Sequence, residues 1–426
     1  MENTNISVGL DIGTTKIVAL VGNKNEFNKV EILGVGKSKS LGVHRGVVNN
    51  ITQTIQSIRQ AVDDAKLNSG YDITDVVVGI AGQHIRSIQH SDYITREYPE
   101  KVINEDDIQL LIQQVYKLVM LPGEEIIHVL PQEYKVDGQG EIMEPVGMHG
   151  GRLEANFHVV VGQVSSIKNI GRCIKSAGLN MANITLEPLA SSEAVLSFEE
   201  KEAGVALIDI GGGTTDLAIF KDGIIRHTAV IPFGGNIITK DIKGGLEILE
   251  NQAELLKIKF GSAMYTQEQE NVMVSIPGLR GRPPKEIAVR NLSEIIGARY
   301  KEIIELVYGQ IKASGYERKL MTGVVLTGGG SLIKNLKQLV AYVTGSETRI
   351  GYPNEHLGTE SKDLVVSPMY STGVGLVLKG YEYLEQYPDE FEMDNESCNE
   401  EQNKEITNES SLMDRISGWF TEDNVN

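Results

Sequence analysis

The residues best suited to chemistry lie in one short stretch, Gly204 to Gly223, where an apolar run carries a carboxylate. Val205 to Ile210 predicts a buried strand, and packing alone does not explain why that strand contains Asp209. The turn that follows consists of residues that can offer N–H or O–H groups to an anion: Gly211, Gly212, Gly213, Thr214 and Thr215. Asp216 to Phe220 then resumes as a strand. The stretch therefore predicts a β-hairpin that wraps phosphate.

Neither of two common phosphate-binding loops fits this stretch. A Walker A loop runs into a helix and carries Gly-Lys-Ser/Thr, and a Rossmann turn places GxGxxG before a helix. Here a strand follows the glycines. Taken alone, the stretch leaves an ordinary tight turn open as the alternative, because glycine marks many turns that bind nothing.

The same pattern occurs a second time near the N-terminus, in Ser7 to Gly22. An apolar strand again ends in an aspartate, Asp11, and a strand resumes at Ile17 to Val21. The turn between them contains Gly13, Thr14, Thr15 and Lys16. Two copies predict two similar halves whose hairpins close on one polyphosphate, with Asp11 and Asp209 holding the water shell of a Mg²⁺ ion. Two unrelated hairpins are the alternative.

A third glycine-rich turn follows another buried strand, Val324 to Thr327. The turn consists of Gly328, Gly329, Gly330 and Ser331, and a helix is predicted from about Leu332. We expect this turn to form the floor beneath an adenosine.

As a set, the segments DIGTTK, DIGGGTTD and TGGG resemble the two phosphate loops and the adenosine loop of actin-like ATP-binding proteins. The closer resemblance is to the FtsA family, whose members anchor the bacterial division ring to the membrane. Three further stretches carry it: Glu187 to Leu196, Ala253 to Gly261 and Arg290 to Tyr300. They resemble the helix that connects the two halves, the ribose-contacting helix and the helix after it. The resemblance covers about residues 5 to 384 and, more loosely, the C-terminal end.

The resemblance implies a scaffold that binds ATP and Mg²⁺, in which hydrolysis is weak or incidental. No residue stands out as a base for the attacking water, and Glu187 is the nearest candidate by family position. The implied nucleotide-binding residues are Asp11, Gly13, Thr14, Thr15, Lys16, Asp209, Gly211, Gly212, Gly213, Thr214, Thr215, Glu254, Lys257, Gly328, Gly329, Gly330 and Ser331. Glu254 and Lys257 lie three apart on one helical face, so a surface ion pair is their alternative.

The resemblance also implies protein partners. The C-terminal peptide of the division protein FtsZ would bind the lobe that holds residues 236 to 310, facing Asn236, Asp241, Arg290 and Glu294. Family membership would further imply self-association into filaments, recruitment of later division proteins, and a location at the division site on the cytoplasmic face of the membrane.

The predicted fold is α/β: a duplicated actin-like ATPase core of two lobes, a small inserted α+β subdomain and a disordered C-terminal tether. The predicted boundaries are 1–82 for the first half of the core, 83–162 for the insertion, and 163–384 for the second half, which completes the first lobe and contacts ATP. Among single elements, we predict strands over Ile85 to Ile88 and Tyr93 to Tyr98, a helix capped at Asn104 whose apolar stripe runs to Val119, and one helix over Leu246 to Phe260.

Composition limits the class of protein. The hydrophobic fraction of 41% is typical of a globular chain, and the net charge of −18 argues against nucleic acid as a partner. The two cysteines, Cys173 and Cys398, lie far apart, so neither a disulfide scaffold nor a cysteine-based metal site is expected. No signal peptide and no apolar run of membrane-spanning length is evident.

The composition changes at Glu385. From there to the C-terminus, 13 acidic residues stand against Lys404 and Arg415, a net charge of −11 that leaves −7 for the rest. Residues 385–410 therefore predict a disordered acidic linker. Residues 411–422 predict an amphipathic helix that anchors the chain to membrane lipid by an apolar face: Leu412, Met413, Ile416, Trp419 and Phe420. It lacks a basic face, and a tail helix docked on the protein body is the alternative.

Three other functions remain as alternatives on the same fold. A phosphotransferase such as a sugar kinase would need an aspartate base beside a small-molecule pocket, and no such signature is evident. A chaperone would need a substrate domain after the core. An actin-like, PilM-type partner of a type IV pilus machine shares the insertion, but the tether and terminal helix argue against it.

Overall fold

Two sheets of the same design form the centre of the computed structural model, which describes residues 6–27, 29–267, 270–278, 283–353, 357–358 and 363–386. The first sheet contains β1 (Ile6–Ile12), β2 (Lys16–Lys24), β3 (Val30–Lys39), β6 (Asp75–Ile80) and β11 (Asn180–Leu186). Its order is β3-β2-β1-β6-β11, with the first three strands antiparallel and the last two parallel to β1. The helices α1 (Ile51–Ser69) and α3 (Val164–Ala177) pack on it. A short hairpin, β4 (Val43–His44) and β5 (Val47–Val48), precedes α1.

The second sheet repeats this arrangement. It contains β12 (Val205–Ile210), β13 (Thr215–Lys221), β14 (Ile224–Ile231), β17 (Val324–Thr327) and β18 (Thr348–Ile350), in the order β14-β13-β12-β17-β18. Again three neighbouring strands, β14, β13 and β12, are antiparallel, and the other two run parallel to β12. Around it lie α5 (Phe198–Ala203), α6 (Gly235–Leu246), α7 (Glu250–Phe260), α8 (Val289–Ala313), α9 (Leu336–Thr344) and the hairpin β15 (Met273–Ile276) and β16 (Lys285–Ala288). The predicted duplication is confirmed.

Two helices lie between the sheets: α4 (Glu187–Val195) and α10 (Ser371–Gln386). They pack on each other, and their apolar side chains meet those of both sheets in one core. Leu20 of the first sheet and Leu207 and Val325 of the second are fully buried there, beside Val195 and Val377 of the two helices. Because α4 leads from the first sheet toward the second, this core joins the two lobes.

The insertion is a four-stranded antiparallel sheet with one helix. Its elements are β7 (Ile85–Thr95), α2 (Glu105–Tyr116), β8 (Glu124–Val136), β9 (Gln139–Ile142) and β10 (Arg152–Gln163), with strand order β7-β10-β8-β9. Asn104 caps α2 as predicted, and its side chain and that of Asp107 form a reciprocal capping box. The other face of the sheet touches β14 of the second lobe, where Gln132 donates to the Ile225 carbonyl at 2.6 Å and His158 lies 2.9 Å from the Thr228 hydroxyl.

Some predicted element boundaries are wrong. The two strands predicted at 85–88 and 93–98 are one strand, β7, paired along its whole length with β10. The apolar stripe of α2 does not reach Val119, because the helix ends at Tyr116 and Val119 is 95% exposed. The helix predicted over 246–260 begins only at Glu250, since Glu247 takes a left-handed conformation (φ 46°) that ends α6 at Leu246.

The helix predicted from about Leu332 begins later as well. A 3-10 turn occupies Gly329–Leu332, and Asn335, with φ 60°, precedes the first residue of α9. Among the residues that the structure describes, no helix combines the length and apolar character needed to cross a membrane. The linker and the anchor helix predicted for 385–422 fall almost entirely outside the described residues, and the predicted domain boundaries stay predictions.

Candidate functional site

The two predicted phosphate-binding hairpins face each other. Ile12 pairs with Ile17 in one and Ile210 pairs with Thr215 in the other, so each hairpin closes on a four-residue turn. A methyl group added at Gly212 would overlap Thr15, and one added at Gly213 would overlap Thr14. The hairpins can therefore approach this closely only because the second carries glycine where the first presents threonine.

The Asp209 carboxylate is held by two hydroxyl groups. Ser191 of α4 donates to Asp209 Oδ2 at 2.6 Å, and Thr372 of α10 lies 3.3 Å from the same oxygen. The other oxygen, Oδ1, faces Gly328, whose φ of 81° and close approach exclude a side chain at that position. Burial raises the pKa of Asp209 and the two hydroxyl groups oppose that rise. One oxygen is thus fixed by the protein and the other lies beside the third glycine-rich turn.

The Asp11 carboxylate is stabilised by a nearby cation, Lys16, rather than by hydroxyl groups. Burial raises the pKa of Asp11 to about 6, Lys16 lowers it and Asp209 adds to the rise. Burial likewise lowers the pKa of Lys16, against the attraction of Asp11, Asp209 and Glu187. The Lys16 ammonium donates to the Met369 carbonyl and lies over the Tyr370 ring, 5.2 Å from its centre. Lys16 is therefore a half-buried cation beside carboxylates, and its charge could pair with a polyphosphate.

Two further carboxyl groups complete the cluster. Burial, together with Asp11, Asp216 and Asp209, raises the pKa of Glu187 well above its ordinary value. Burial raises the pKa of Asp216 to about 8, and Asp209 adds to that rise. Thr214 donates to Asp216 Oδ2 at 3.1 Å, while Oδ1, within the described part of the chain, has no hydrogen-bond partner. Sequence reasoning missed Asp216, although it is an acid within an apolar strand, the signal that identified Asp209.

The remaining implied nucleotide contacts come from α7 and from the third turn. Glu254 and Lys257 form the ion pair that their spacing allows, at 2.7 Å, and Lys257 is buried. Lys257 also donates to the Gly235 carbonyl at 2.9 Å and to Thr239 at 2.8 Å. Gly235 in turn donates its N–H to Gly211 at 2.9 Å, which connects this ion pair to the second hairpin.

The turn Gly328–Ser331 follows β17 as predicted and is closed internally. The Ser331 hydroxyl donates to the Gly328 carbonyl at 2.7 Å, and the buried Tyr300 hydroxyl donates to the Gly330 carbonyl at 2.8 Å. The turn is thereby fixed between β17 and α8, beside the hairpin that carries Asp209.

The carboxylates fit a hard cation held through water. Over the described ranges, no three His, Cys, Asp or Glu side chains come close enough to bind a metal ion directly. Carboxylate oxygens are the ligands that Mg²⁺ accepts, and this ion commonly keeps several of its waters and binds substrate phosphates. Asp11 and Asp209 could therefore hold a Mg²⁺ ion by its waters while phosphates complete the shell.

The four residues expected at the partner surface lie in different surroundings. The backbone N–H of Asn236 donates to the Gly212 carbonyl at 2.8 Å, so this residue lies beside the hairpin. Asp241 accepts two hydrogen bonds from Arg299, at 2.5 and 3.1 Å. Arg290 and Glu294 are half-exposed and pair with each other at 2.9 Å. The five residues expected to anchor the chain, Leu412, Met413, Ile416, Trp419 and Phe420, lie outside the described residues.

The fold and the facing hairpins define this chain as a member of the actin-like ATPase fold. Solved structures with this fold include a PilM–PilN type IV pilus biogenesis complex (TM-score 0.63, 15% identity, 88% of this chain and 98% of that one). MreB5 of Spiroplasma citri bound to ADP is another (TM-score 0.52, 16% identity, 92% and 100%).

Sequence comparison is more specific. The model "Cell division protein FtsA" matches residues 206–375, and "SHS2 domain inserted in FTSA" matches residues 82–161. A cell division protein FtsA from Pseudomonas aeruginosa is 40% identical over 89% of this chain and 90% of its own length. The chain belongs to the FtsA family of actin-like cell division proteins.

Proposed function

We propose that this protein is an ATP-loaded scaffold that binds FtsZ, self-associates and tethers the division ring to the cytoplasmic face of the membrane. The observation that carries the proposal is the pair of hairpins in contact, with Asp11, Lys16 and Asp209 gathered beside them. A polyphosphate with a hydrated Mg²⁺ ion is the ligand whose charges match that set. The ADP-bound MreB5 structure, which shares the fold, supports nucleotide as the ligand class.

The role proposed is that of a scaffold in which hydrolysis is weak or incidental. Glu187 is the nearest candidate to accept a proton from water, and burial together with Asp11, Asp216 and Asp209 raises its pKa. The support for ATP as a bound effector is the similarity to relatives named as cell division proteins.

The FtsZ peptide is proposed to bind the half-exposed part of α8. Arg290 lies over the Tyr265 ring, 5.2 Å from its centre, and pairs with Glu294 on the next helical turn. An acidic and apolar peptide helix could replace Glu294 as the partner of Arg290 and pack on Tyr265. Asp241 is less available, because Arg299 already satisfies both of its oxygens.

The C-terminal helix is proposed to insert its apolar face into lipid. Burying a side chain the size of Leu or Phe contributes roughly 1.5–3 kcal/mol, while ordering a free tail costs about 1–2 kcal/mol per residue. One tail therefore binds weakly, and a filament that presents many tails gains avidity without new contacts. The acidic linker keeps its charge in solution, away from anionic lipid.

A vesicle flotation experiment with labelled FtsZ tests nucleotide loading, FtsZ binding and membrane attachment together. With ATP and Mg²⁺, wild-type protein should carry FtsZ to the vesicle fraction. Trp419→Glu should leave both proteins behind, with at least a 10-fold loss of bound protein, since a buried apolar contact worth roughly 1.5–3 kcal/mol is removed. Arg290→Glu should float without FtsZ, and omission of nucleotide should reduce the recovery of both.

Each variant has a matched control. Thr421→Glu adds the same charge to the predicted polar face of the tail helix and should float normally. Lys301→Glu breaks the Lys301–Glu305 pair, which has the same spacing and exposure on α8 as Arg290 and Glu294, and should retain FtsZ. Undiminished flotation of Trp419→Glu would favour a tail docked on the body, and equal FtsZ binding by Arg290→Glu and wild type would move the peptide site elsewhere.

The alternatives have less support. Similarity to the pilus protein extends to the fold at 15% identity, whereas the 40%-identical relative is a division protein over nearly its whole length.

A further inference from the structure

Two hydroxyl groups that meet at Asp209 come from different helices. Ser191, fully buried on α4, donates to Asp209 Oδ2 at 2.6 Å, and Thr372 on α10 lies 3.3 Å from that oxygen. The two hydroxyl groups also lie 3.1 Å from each other. The carboxylate oxygen Oδ2 is thus held from two sides at once, and the rotation of the Asp209 side chain is restricted.

The two helices are the elements that join the lobes. The chain passes through α4 on its way from β11 in the first sheet to β12 in the second, and α10 packs on α4 as well as on β1. Ser191 and Thr372 therefore place Asp209, a residue of the second sheet, under the control of the layer between the lobes.

We propose that Ser191 and Thr372 are positioning residues that hold Asp209 Oδ2, so that Oδ1 alone is presented to the water shell of the nucleotide-bound Mg²⁺. The proposal rests on the proposed function, since it concerns the same ion. Oδ1 is the candidate oxygen because both hydroxyl groups bind Oδ2, while Oδ1 lies against the backbone of Gly328. Groups that orient a metal-binding carboxylate commonly change metal affinity by 10- to 100-fold when they are removed.

One consequence is a link between Mg²⁺ and the arrangement of the lobes. If α4 and α10 shift relative to each other, the two donors move apart and Asp209 loses its fixed rotamer. By thermodynamic reciprocity, the ion that selects this rotamer must also favour the helix arrangement that supplies both donors. Nucleotide loading and lobe orientation are then coupled through three side chains.

The test compares variants that differ only in the hydroxyl group at the carboxylate. Ser191→Ala and Thr372→Val remove one donor each with little change in volume. Ser192→Ala is the control for the first, because Ser192 is equally buried on α4 but donates to the Leu189 carbonyl at 2.6 Å. Thr372→Ser, which keeps the hydroxyl, is the control for the second. Calorimetry measures ATP binding with Mg²⁺ and with EDTA, and thermal unfolding reports the stability of every variant.

Wild type, Ser192→Ala and Thr372→Ser should bind ATP alike. Ser191→Ala should bind ATP about 10-fold more weakly with Mg²⁺ and unchanged with EDTA, and Thr372→Val should show a smaller loss of the same kind because its hydrogen bond is longer. Equal losses with and without Mg²⁺, or equal losses in Ser191→Ala and Ser192→Ala, would overturn the positioning role. Wild type whose ATP affinity does not depend on Mg²⁺ would instead reject the metal site of the proposed function.

Discussion

The two hairpins occupy equivalent places in duplicated sheets, yet their side chains differ from the second residue of each turn onward. Strand pairing sets the equivalence, because Asp11 pairs with Val18 in the first hairpin as Asp209 pairs with Asp216 in the second. The first three equivalent pairs are identical: Asp11 and Asp209, Ile12 and Ile210, and Gly13 and Gly211. The next five pairs all differ: Thr14 and Gly212, Thr15 and Gly213, Lys16 and Thr214, Ile17 and Thr215, and Val18 and Asp216.

The differences are complementary in volume and in charge. Each threonine of the first turn lies against a glycine of the second, so two identical turns of either kind would clash or leave a gap. The first hairpin supplies the cation Lys16, and the second supplies the extra carboxyl group of Asp216. Duplication thus provided the frame, while unlike substitutions made one asymmetric site between the copies.

The largest expected effect comes from removing the aspartate that both hairpins carry, Asp209 in one variant and Asp11 in another. Asp209→Ala should weaken ATP·Mg²⁺ binding by roughly 1.5–3 kcal/mol, or about 10- to 150-fold, because a charge-assisted contact is lost. Asp11→Ala should cost less. It removes the same kind of contact but also frees Lys16 from its attraction to Asp11, so that Lys16 attracts phosphate more strongly. Calorimetry with Mg²⁺ measures both.

The relative size of the two losses of ATP affinity tests whether the two hairpins contribute unequally. A larger loss for Asp11→Ala than for Asp209→Ala would show that Lys16 does not compensate. Unchanged binding by Asp209→Ala would mean that the hairpins are not the nucleotide site.

The two hairpins and the third turn could be predicted from sequence, because each is marked by residues that lie close together in the chain. An acid that ends an apolar strand, a glycine turn and a resumed strand lie within 20 residues, and the pattern occurs twice. The family resemblance then added the order of the lobes. Both sheets and the position of all three turns are as predicted.

What sequence could not provide depends on distant parts of the chain. Ser191 and Thr372 are 181 positions apart, and nothing in their own neighbourhoods marks them as partners of Asp209. The start of α7 was predicted four residues too early, because the break before it depends on the left-handed backbone of Glu247, a residue type that does not signal a helix end. The complementary fit of Gly212 to Thr15 likewise appears only when the lobes are assembled.

The next prediction adds a methyl group at the point where the two turns touch. Gly212→Ala should lower the free energy of unfolding by roughly 0.5–1.5 kcal/mol, because the added methyl group overlaps the exposed Thr15 side chain and forces it from its rotamer. Gly211→Ala is the matched control, since its methyl group would lie 3.3 Å from the nearest atom outside its neighbours, the Thr214 carbonyl oxygen. Denaturant unfolding without nucleotide measures both variants.

A second substitution sharpens this result. Thr15→Gly in the Gly212→Ala background removes the overlapping side chain and should recover part of the lost stability. Equal stability of Gly211→Ala and Gly212→Ala would mean that the hairpins are not in contact in solution.

The last prediction concerns the pair of Val18 and Asp216, the one place where an apolar residue in the first hairpin matches an acid in the second. The folded pKa of Asp216, about 8, lies above the ordinary 3.8, so the folded protein binds more protons than the unfolded chain between these values. Stability should therefore fall as pH rises from about 4 to 8, by of order 1 kcal/mol for each pH unit near neutrality. Asp11, Asp209 and Glu187, whose pKa values are also raised, should contribute slopes of the same sign.

Asp216→Asn should make the decline of stability with pH shallower and raise the stability at pH 8. Val18→Thr, a neutral change at the equivalent position, should leave the slope as in wild type. Thermal unfolding of nucleotide-free protein at pH 5, 6.5 and 8 measures the slopes, and parallel pH profiles for Asp216→Asn and wild type would show that Asp216 is ionised in the folded protein.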